Sequence, residues 1–105
     1  MTKFIEVITT FETLDEARKI AKLIVENKLG ACCSIQEIES VYRWKGDIET
    51  AKEFQLTIKT VEKLYSKLEA FILENHSYET PQIISLPILN GSDNYLHWLS
   101  GKTGS

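Results

Sequence analysis

Two strand-like arms around a single turn occupy residues 31–59, and a hairpin of that length constrains most of what this chain can become. On the second arm Phe54, Leu56 and Ile58 alternate with Glu53, Gln55, Thr57 and Lys59, as in a strand with one buried face. On the first arm the apolar positions fall on Ala31, Cys33 and Ile35, then move to the opposite parity at Ile38 and Tyr42. Such a phase change predicts a bulge or bend near Gln36-Glu37. Trp44-Lys45-Gly46-Asp47 supplies the turn. Pairing back along both arms makes each strand far longer than the usual five or six residues, so the end of the hairpin should overhang one domain. An overhanging ribbon with open edges invites a second subunit.

The flanking segments complete the pattern. Phe4 to Thr9 reads as a strand that ends in the polar stretch from Thr10 to Thr13. Thr13 and Glu16 stand as a reciprocal capping box, Ala17, Ile20, Ala21 and Ile24 follow at helical spacing, and Gly30 is the expected stop of a helix over 14–29. A second apolar stripe, Val61, Leu64, Tyr65, Leu68, Phe71 and Ile72, predicts a helix from about Val61 that ends before Ser77. Pro81 precedes Gln82-Ile83-Ile84-Ser85-Leu86, a run that predicts a strand covered on both faces, with Pro87 limiting its pairing. Ser92 caps a short last helix with Tyr95, Leu96, Trp98 and Leu99. The order β-α-β-β-α-β plus a C-terminal helix is an α+β, ferredoxin-like sandwich.

At 105 residues and 43% hydrophobic content the chain holds one core, expected over 1–100. Residues 101–105 lack apolar pattern and read as a flexible tail, its Gly-Ser ending resembling an expression-tag remnant. A net charge of −3 offers no basic surface for phosphates, and no segment has the length and apolar content to span a bilayer, so neither nucleic acid nor membrane is an expected partner. Cys32 and Cys33 are adjacent and cannot staple distant segments, which suits a reducing, cytoplasmic setting.

Three kinds of chemistry compete on this fold. An RNA reader needs stacking aromatics on the third strand, where Glu53, Gln55 and Thr57 stand instead. A phosphatase needs a glycine-rich cradle with an arginine, yet Arg18 falls in a helix and Arg43 in the hairpin. Metal binding has the donors Cys32, Cys33, His76 and His97, with Glu79 near His76 in sequence. Adjacent cysteines on a strand point to opposite faces, so one at most serves a given site, and a thiolate with an imidazole would favour Cu(I) or zinc. No catalytic motif is present.

Ser40-Val41-Tyr42-Arg43-Trp44-Lys45-Gly46-Asp47-Ile48-Glu49 resembles the signature hairpin of the CutA divalent-cation tolerance family, and Ile58-Lys59-Thr60 the end of its next strand. His76-Ser77-Tyr78-Glu79-Thr80-Pro81, with Leu86-Pro87-Ile88, Gly91 and Tyr95-Leu96-His97-Trp98, resembles the C-terminal signature of that family. The resemblance implies a homotrimer with strands paired between subunits, arranged like the PII signalling proteins, and a role in tolerance of copper or another divalent cation. It also implies an intersubunit cleft, for which Tyr42, Trp44, Lys59, His76, Tyr78, Glu79 and Trp98 are the candidates, with His76 and Cys32 as metal donors. The copper ligands proposed for some members fall here at Thr10, Asn75 and His76, which leaves one donor, and Ser34 and Gln36-Glu37 replace the usual residues after Cys32. Three functional expectations follow: a metal-responsive or signalling scaffold, a PII-like small-effector site, or an uncharacterised small-molecule enzyme using His76, Tyr78 and Glu79.

Overall fold

The computed structural model describes residues 2–104; Met1 and Ser105, the outermost positions of the expected domain and tail, lie outside the described residues. Four strands, β1 (Phe4–Phe11), β2 (Cys32–Trp44), β3 (Asp47–Val61) and β4 (Ile83–Ile88), form one antiparallel sheet in the order β2-β3-β1-β4. Helices α1 (Leu14–Glu26) and α2 (Tyr65–Asn75) pack on one face, and α3 (Asp93–Gly101) follows β4. This is the α+β sandwich that the element order predicts.

Alternation along the strands sets the layers. Val7 and Phe11 of β1 and Leu56 and Ile58 of β3 point to the helix face and meet Ile20 and Ile24 of α1 and Leu68 and Ile72 of α2. A second cluster of Ala31, Val61, Leu64 and Leu99 seats α3 against the end of β3. β1 runs to Phe11, past the polar residues expected to end it, because Thr10 and Phe11 pair with Gln55 and Phe54 and Phe11 is fully buried.

The hairpin contains no bulge. Every pair from Cys32↔Lys59 to Trp44↔Asp47 follows in unbroken register through Gln36↔Gln55 and Glu37↔Phe54. The apolar parity changes because β1 and the helices end there: beyond Phe54 the inner face has nothing to pack on, and apolar residues pass to the other face at Ile38. Seven pairs, Ile38↔Glu53 to Trp44↔Asp47, extend beyond the last β1 partner. At a rise of about 3.3 Å per residue that ribbon is about 23 Å long. It accounts for a molecule of 45 × 25 × 21 Å, longer in one direction than a 105-residue sphere.

Four features differ from expectation for identifiable reasons. α1 stops at Glu26, with the Asn27 amide donating to the Leu23 carbonyl, the Lys28 amide donating to the Val25 carbonyl, and Lys28 in the left-handed region at φ 58°. Gly30 therefore ends no helix; its role is close approach, since a Cβ there would stand 2.5 Å from Ile58 Cγ2 and 3.1 Å from Ile24 Cγ2. Val61 belongs to β3, and a 3-10 turn over Glu62–Leu64 precedes α2, so the second apolar stripe spans three kinds of structure. β4 is an edge strand, with Ile84 and Leu86 exposed within the single chain, where the sequence run suggests cover on both faces. The segment after residue 100 is held in place: Gly101 completes α3, Thr103 is buried, and the Gly104 amide donates to the Lys28 carbonyl at 2.8 Å.

The contact at Gly30 gives a direct check. Gly30→Ala should destabilise the chain by about 1–3 kcal/mol through overpacking, read as a lower urea midpoint at unchanged slope. Gly46→Ala at the exposed hairpin tip, φ +87° with open space around it, should act only through backbone strain and leave the core's unfolding cooperative.

Candidate functional site

The segment between α2 and β4, residues 76–82, crosses the end of β1 and is fastened at three points. His76 Nε2 lies 2.8 Å from the Thr10 carbonyl and its Nδ1 accepts from the Tyr78 amide at 3.0 Å. A carbonyl needs a donor and an amide needs an acceptor, so the ring carries its hydrogen on Nε2. The imidazole also stacks on Phe11 at 4.4 Å and 11°. Ser77 donates its amide (2.9 Å) and its hydroxyl (2.8 Å) to the two oxygens of Glu16. Half of the expected capping box is thus present: Thr13 Oγ1 accepts from the Glu16 amide at 3.2 Å, while the Glu16 carboxylate holds the segment instead of the cap.

The third fastening joins this segment to the ribbon. The Tyr78 hydroxyl donates to Glu53 Oε2 at 2.8 Å. Glu53 is only 9% exposed, although it stands beyond the last β1 pair, because the segment folds over it. Burial raises the Tyr78 pKa above the ordinary tyrosine value, and its bond to Glu53 and the charges of Glu53 and Glu12 push the same way. The phenol is therefore a fixed donor and no acid at neutral pH.

A cavity of about 690 Å³ opens between ribbon and segment. Ser40, Tyr42, Trp44 and Glu53 of the ribbon line one side, and Tyr78, Glu79, Thr80 and Gln82 the other, with Thr10 at the end of β1. Of the sequence candidates, Tyr42, Trp44, Tyr78 and Glu79 meet here, and His76 props the wall from behind. Lys59 does not join them: it pairs with Glu6 at 3.8 Å and stands across from Cys32. That is four residues along the strands from the Thr10↔Gln55 pair, about 13 Å away. Trp98 is on α3 beside Tyr95, at 5.7 Å between rings, and also lies outside the cavity. Glu53 is a residue that the sequence does not mark as part of a site, and Thr10 enters the sequence reading as a position that lacks a metal donor. The signal at Glu53 is its parity on the face opposite the core, which becomes informative once the register is known.

The metal donors do not form a site. Both His76 nitrogens are engaged within the chain, and Cys32 lies at the far end of the sheet. Among the described residues no three histidine, cysteine, aspartate or glutamate side chains are grouped as a metal ion requires. The Cys33 thiol is pushed up to about 12 by burial, with Cys32 adding to the shift and Lys59 opposing it, so it is no thiolate at neutral pH. The residues present do not fit a bound copper ion within one chain. Among the described residues no helix is long and apolar enough to cross a membrane.

Tyr78→Phe leaves the Glu53 carboxylate buried without its donor and should cost about 1–3 kcal/mol in chemical denaturation. The same variant has a pH signature. Because the folded Tyr78 pKa is raised, its neutral form stabilises the fold fully below pH 10.0, the ordinary value. That stability is lost as pH rises toward the folded pKa, since the unfolded chain gives up its proton first. Tyr78→Phe should flatten the stability loss above pH 10, and the slope that remains belongs to groups such as Tyr65, also raised by burial and Glu69.

The sequence model of the CutA1 divalent ion tolerance protein family matches residues 5–102. The chain is 42% identical over 100 residues to Protein CutA, chloroplastic, of Arabidopsis thaliana, covering 94% of this chain and 55% of that longer protein. It thus spans about half of the plant relative's length. To the divalent-cation tolerance protein CutA of Thermus thermophilus it is 38% identical over 99 residues, covering 93% of this chain and 96% of the relative. The crystal structure of CutA1 from Pyrococcus horikoshii superposes with a TM-score of 0.93 at 35% identity, covering 96% and 99% of the two chains. CutA from Synechococcus elongatus superposes with a TM-score of 0.94 at 32% identity, covering 97% and 91%. Sequence and fold agree over nearly the whole length, and the chain belongs to the CutA1 divalent ion tolerance protein family.

Proposed function

We propose that this chain acts in divalent-cation tolerance, copper included, as a homotrimeric cytoplasmic scaffold whose binding sites are completed between subunits. The observation that carries this reading is the pair of open surfaces on a long sheet. Ile84 and Leu86 of β4, together with Leu89 at 83% exposure, are apolar and uncovered at one edge. Val41 and Ile48 are likewise uncovered on the ribbon at the other. Edges of this kind are liabilities unless another chain pairs with them. Relatives named for divalent-cation tolerance share the whole architecture, which supports the physiological role.

A second reading, binding of a small effector, is favoured by the cavity between ribbon and segment, whose size is that of a small-molecule site. An enzyme built on His76, Tyr78 and Glu79 is disfavoured by the same geometry. His76 has both nitrogens committed to the backbone, and Tyr78 is held neutral by burial and by its bond to Glu53.

Light scattering at micromolar concentration should give three times the chain mass, and Leu86→Glu, a charge on the apolar edge, should lower it; a monomeric wild type contradicts the trimer. In calorimetric titration of reduced, metal-free protein with Cu(II), His76→Ala should leave copper uptake per subunit unchanged. Loss of saturable binding in that variant would place the metal on His76 and contradict the committed-imidazole geometry.

A further inference from the structure

We propose that Asn90 is a site of spontaneous modification, at which the Gly91 amide nitrogen displaces the Asn90 side-chain amide as ammonia and water then opens the resulting ring to aspartate or isoaspartate. This chemistry needs neither the ion reading nor the effector reading.

The sequence holds four asparagines, Asn27, Asn75, Asn90 and Asn94, and their surroundings separate one from the rest. Asn27 and Asn75 donate their side-chain amides to the carbonyls of Leu23 and Phe71, each at 2.8 Å. The backbone amide after Asn27, that of Lys28, donates to the Val25 carbonyl at 3.1 Å. The amide after Asn94, that of Tyr95, donates to Ser92 Oγ at 3.4 Å, and Asn94 is itself held in the first turn of α3. Asn90 has none of these restraints. It is exposed, beyond Phe4↔Ile88 at the end of β4 and before the Ser92 cap of α3. Among the described residues neither its side chain nor the Gly91 amide takes part in a hydrogen bond.

Glycine at 91 meets the second requirement of the reaction. Without a Cβ its nitrogen is approached freely, and its backbone visits conformations that other residues enter at a cost. Packing keeps glycine there, because a Cβ would stand 2.9 Å from Leu96 Cδ2 and 3.0 Å from Leu96 Cγ. The contact that seats the start of α3 therefore places the most permissive neighbour beside the unrestrained asparagine.

The step involves no oxidation or reduction. The Gly91 N–H gives its proton to solvent base as the nitrogen bonds to Asn90 Cγ; the Cγ–Nδ2 bond breaks, and ammonia leaves with a proton from water. Water then adds to either carbonyl of the cyclic imide and breaks one ring C–N bond, so amide plus water becomes carboxylate plus ammonium. Either product places a negative charge two residues before the Ser92 cap, where the N-terminal end of a helix favours it. Isoaspartate also lengthens the main chain by a carbon beside the Gly91–Leu96 contact, so that product alone should loosen α3.

The test incubates the full chain in its native assembly at mildly alkaline pH and maps its peptides by mass spectrometry, beside a sample unfolded in urea. In the native sample Asn90 should convert on the order of tenfold faster than Asn27, Asn75 or Asn94, with ammonia released in step. Asn90→Gln should suppress that ammonia release. Asn90→Asp, which carries the charge on an unaltered backbone, should keep the wild-type melting temperature, whereas the isoaspartate fraction, separated by chromatography, should melt lower. An intact Asn90 in the native sample, whatever happens in urea, overturns the proposal, because the folded assembly then shields the site. Conversion spread evenly over the four asparagines overturns the selection by local restraint. An isoaspartate fraction that melts with the wild type overturns the coupling to α3.

Discussion

The unbroken ladder between β2 and β3 is the constraint on which the rest depends. Because side chains alternate strictly along a strand, a slip of one residue would exchange the faces of everything beyond it. The continuous register from Cys32↔Lys59 to Trp44↔Asp47 puts Ser40, Tyr42, Trp44 and Glu53 on one face, opposite the face that carries Leu56 and Ile58 into the core. One ladder therefore carries Leu56 and Ile58 into the hydrophobic core at its base and builds one wall of the cavity at its end. A bulge at Gln36-Glu37 would have turned Glu53 and Tyr42 to different sides.

The other wall is fixed by groups rooted in the core. Phe11 is fully buried and supports the His76 ring, whose two nitrogens bind the Thr10 carbonyl and the Tyr78 amide. Glu16, on the first turn of α1, holds Ser77, and Glu53 holds Tyr78. Strand, helix and ribbon each contribute one fastening to a short segment that has no regular structure of its own. Such fastening favours a preformed cavity, since little ordering remains to oppose binding. It also explains why residues that look catalytic in sequence carry no free chemistry: the imidazole and the phenol position the wall.

How far the sequence discloses this can be traced residue by residue. Alternation over Phe54, Leu56 and Ile58 and the helical spacing of Ala17, Ile20 and Ile24 are local patterns, and they suffice for the element order and the α+β sandwich. The parity change at Ile38 is equally visible, but its cause is the end of β1 beside Phe54, a fact of tertiary structure that local reading turns into a bulge. Gly30 looks like a helix stop because the crowding against Ile58 comes from a strand twenty-eight positions later. Ile84 and Leu86 read as buried because the chain alone does not say that β4 lies at an edge. At the site, Tyr42, Trp44, Tyr78 and Glu79 are legible through the family resemblance, and the structure gathers them. Glu53, the residue that organises them, is not: as one polar position in an alternating strand it is indistinguishable from Gln55 or Thr57 until residues 76–82 fold over it.

The central claim is the register, and interstrand backbone contacts measured by nuclear magnetic resonance test it most directly. Cross-strand nuclear Overhauser effects should link Gln36 with Gln55, Ile38 with Glu53 and Tyr42 with Glu49, in one uninterrupted series from the base of the hairpin to its turn. A shift of partners by one residue beyond Gln36, so that Ile38 no longer faces Glu53, would contradict the account: it would turn Ser40, Tyr42 and Trp44 away from the face that carries Glu53.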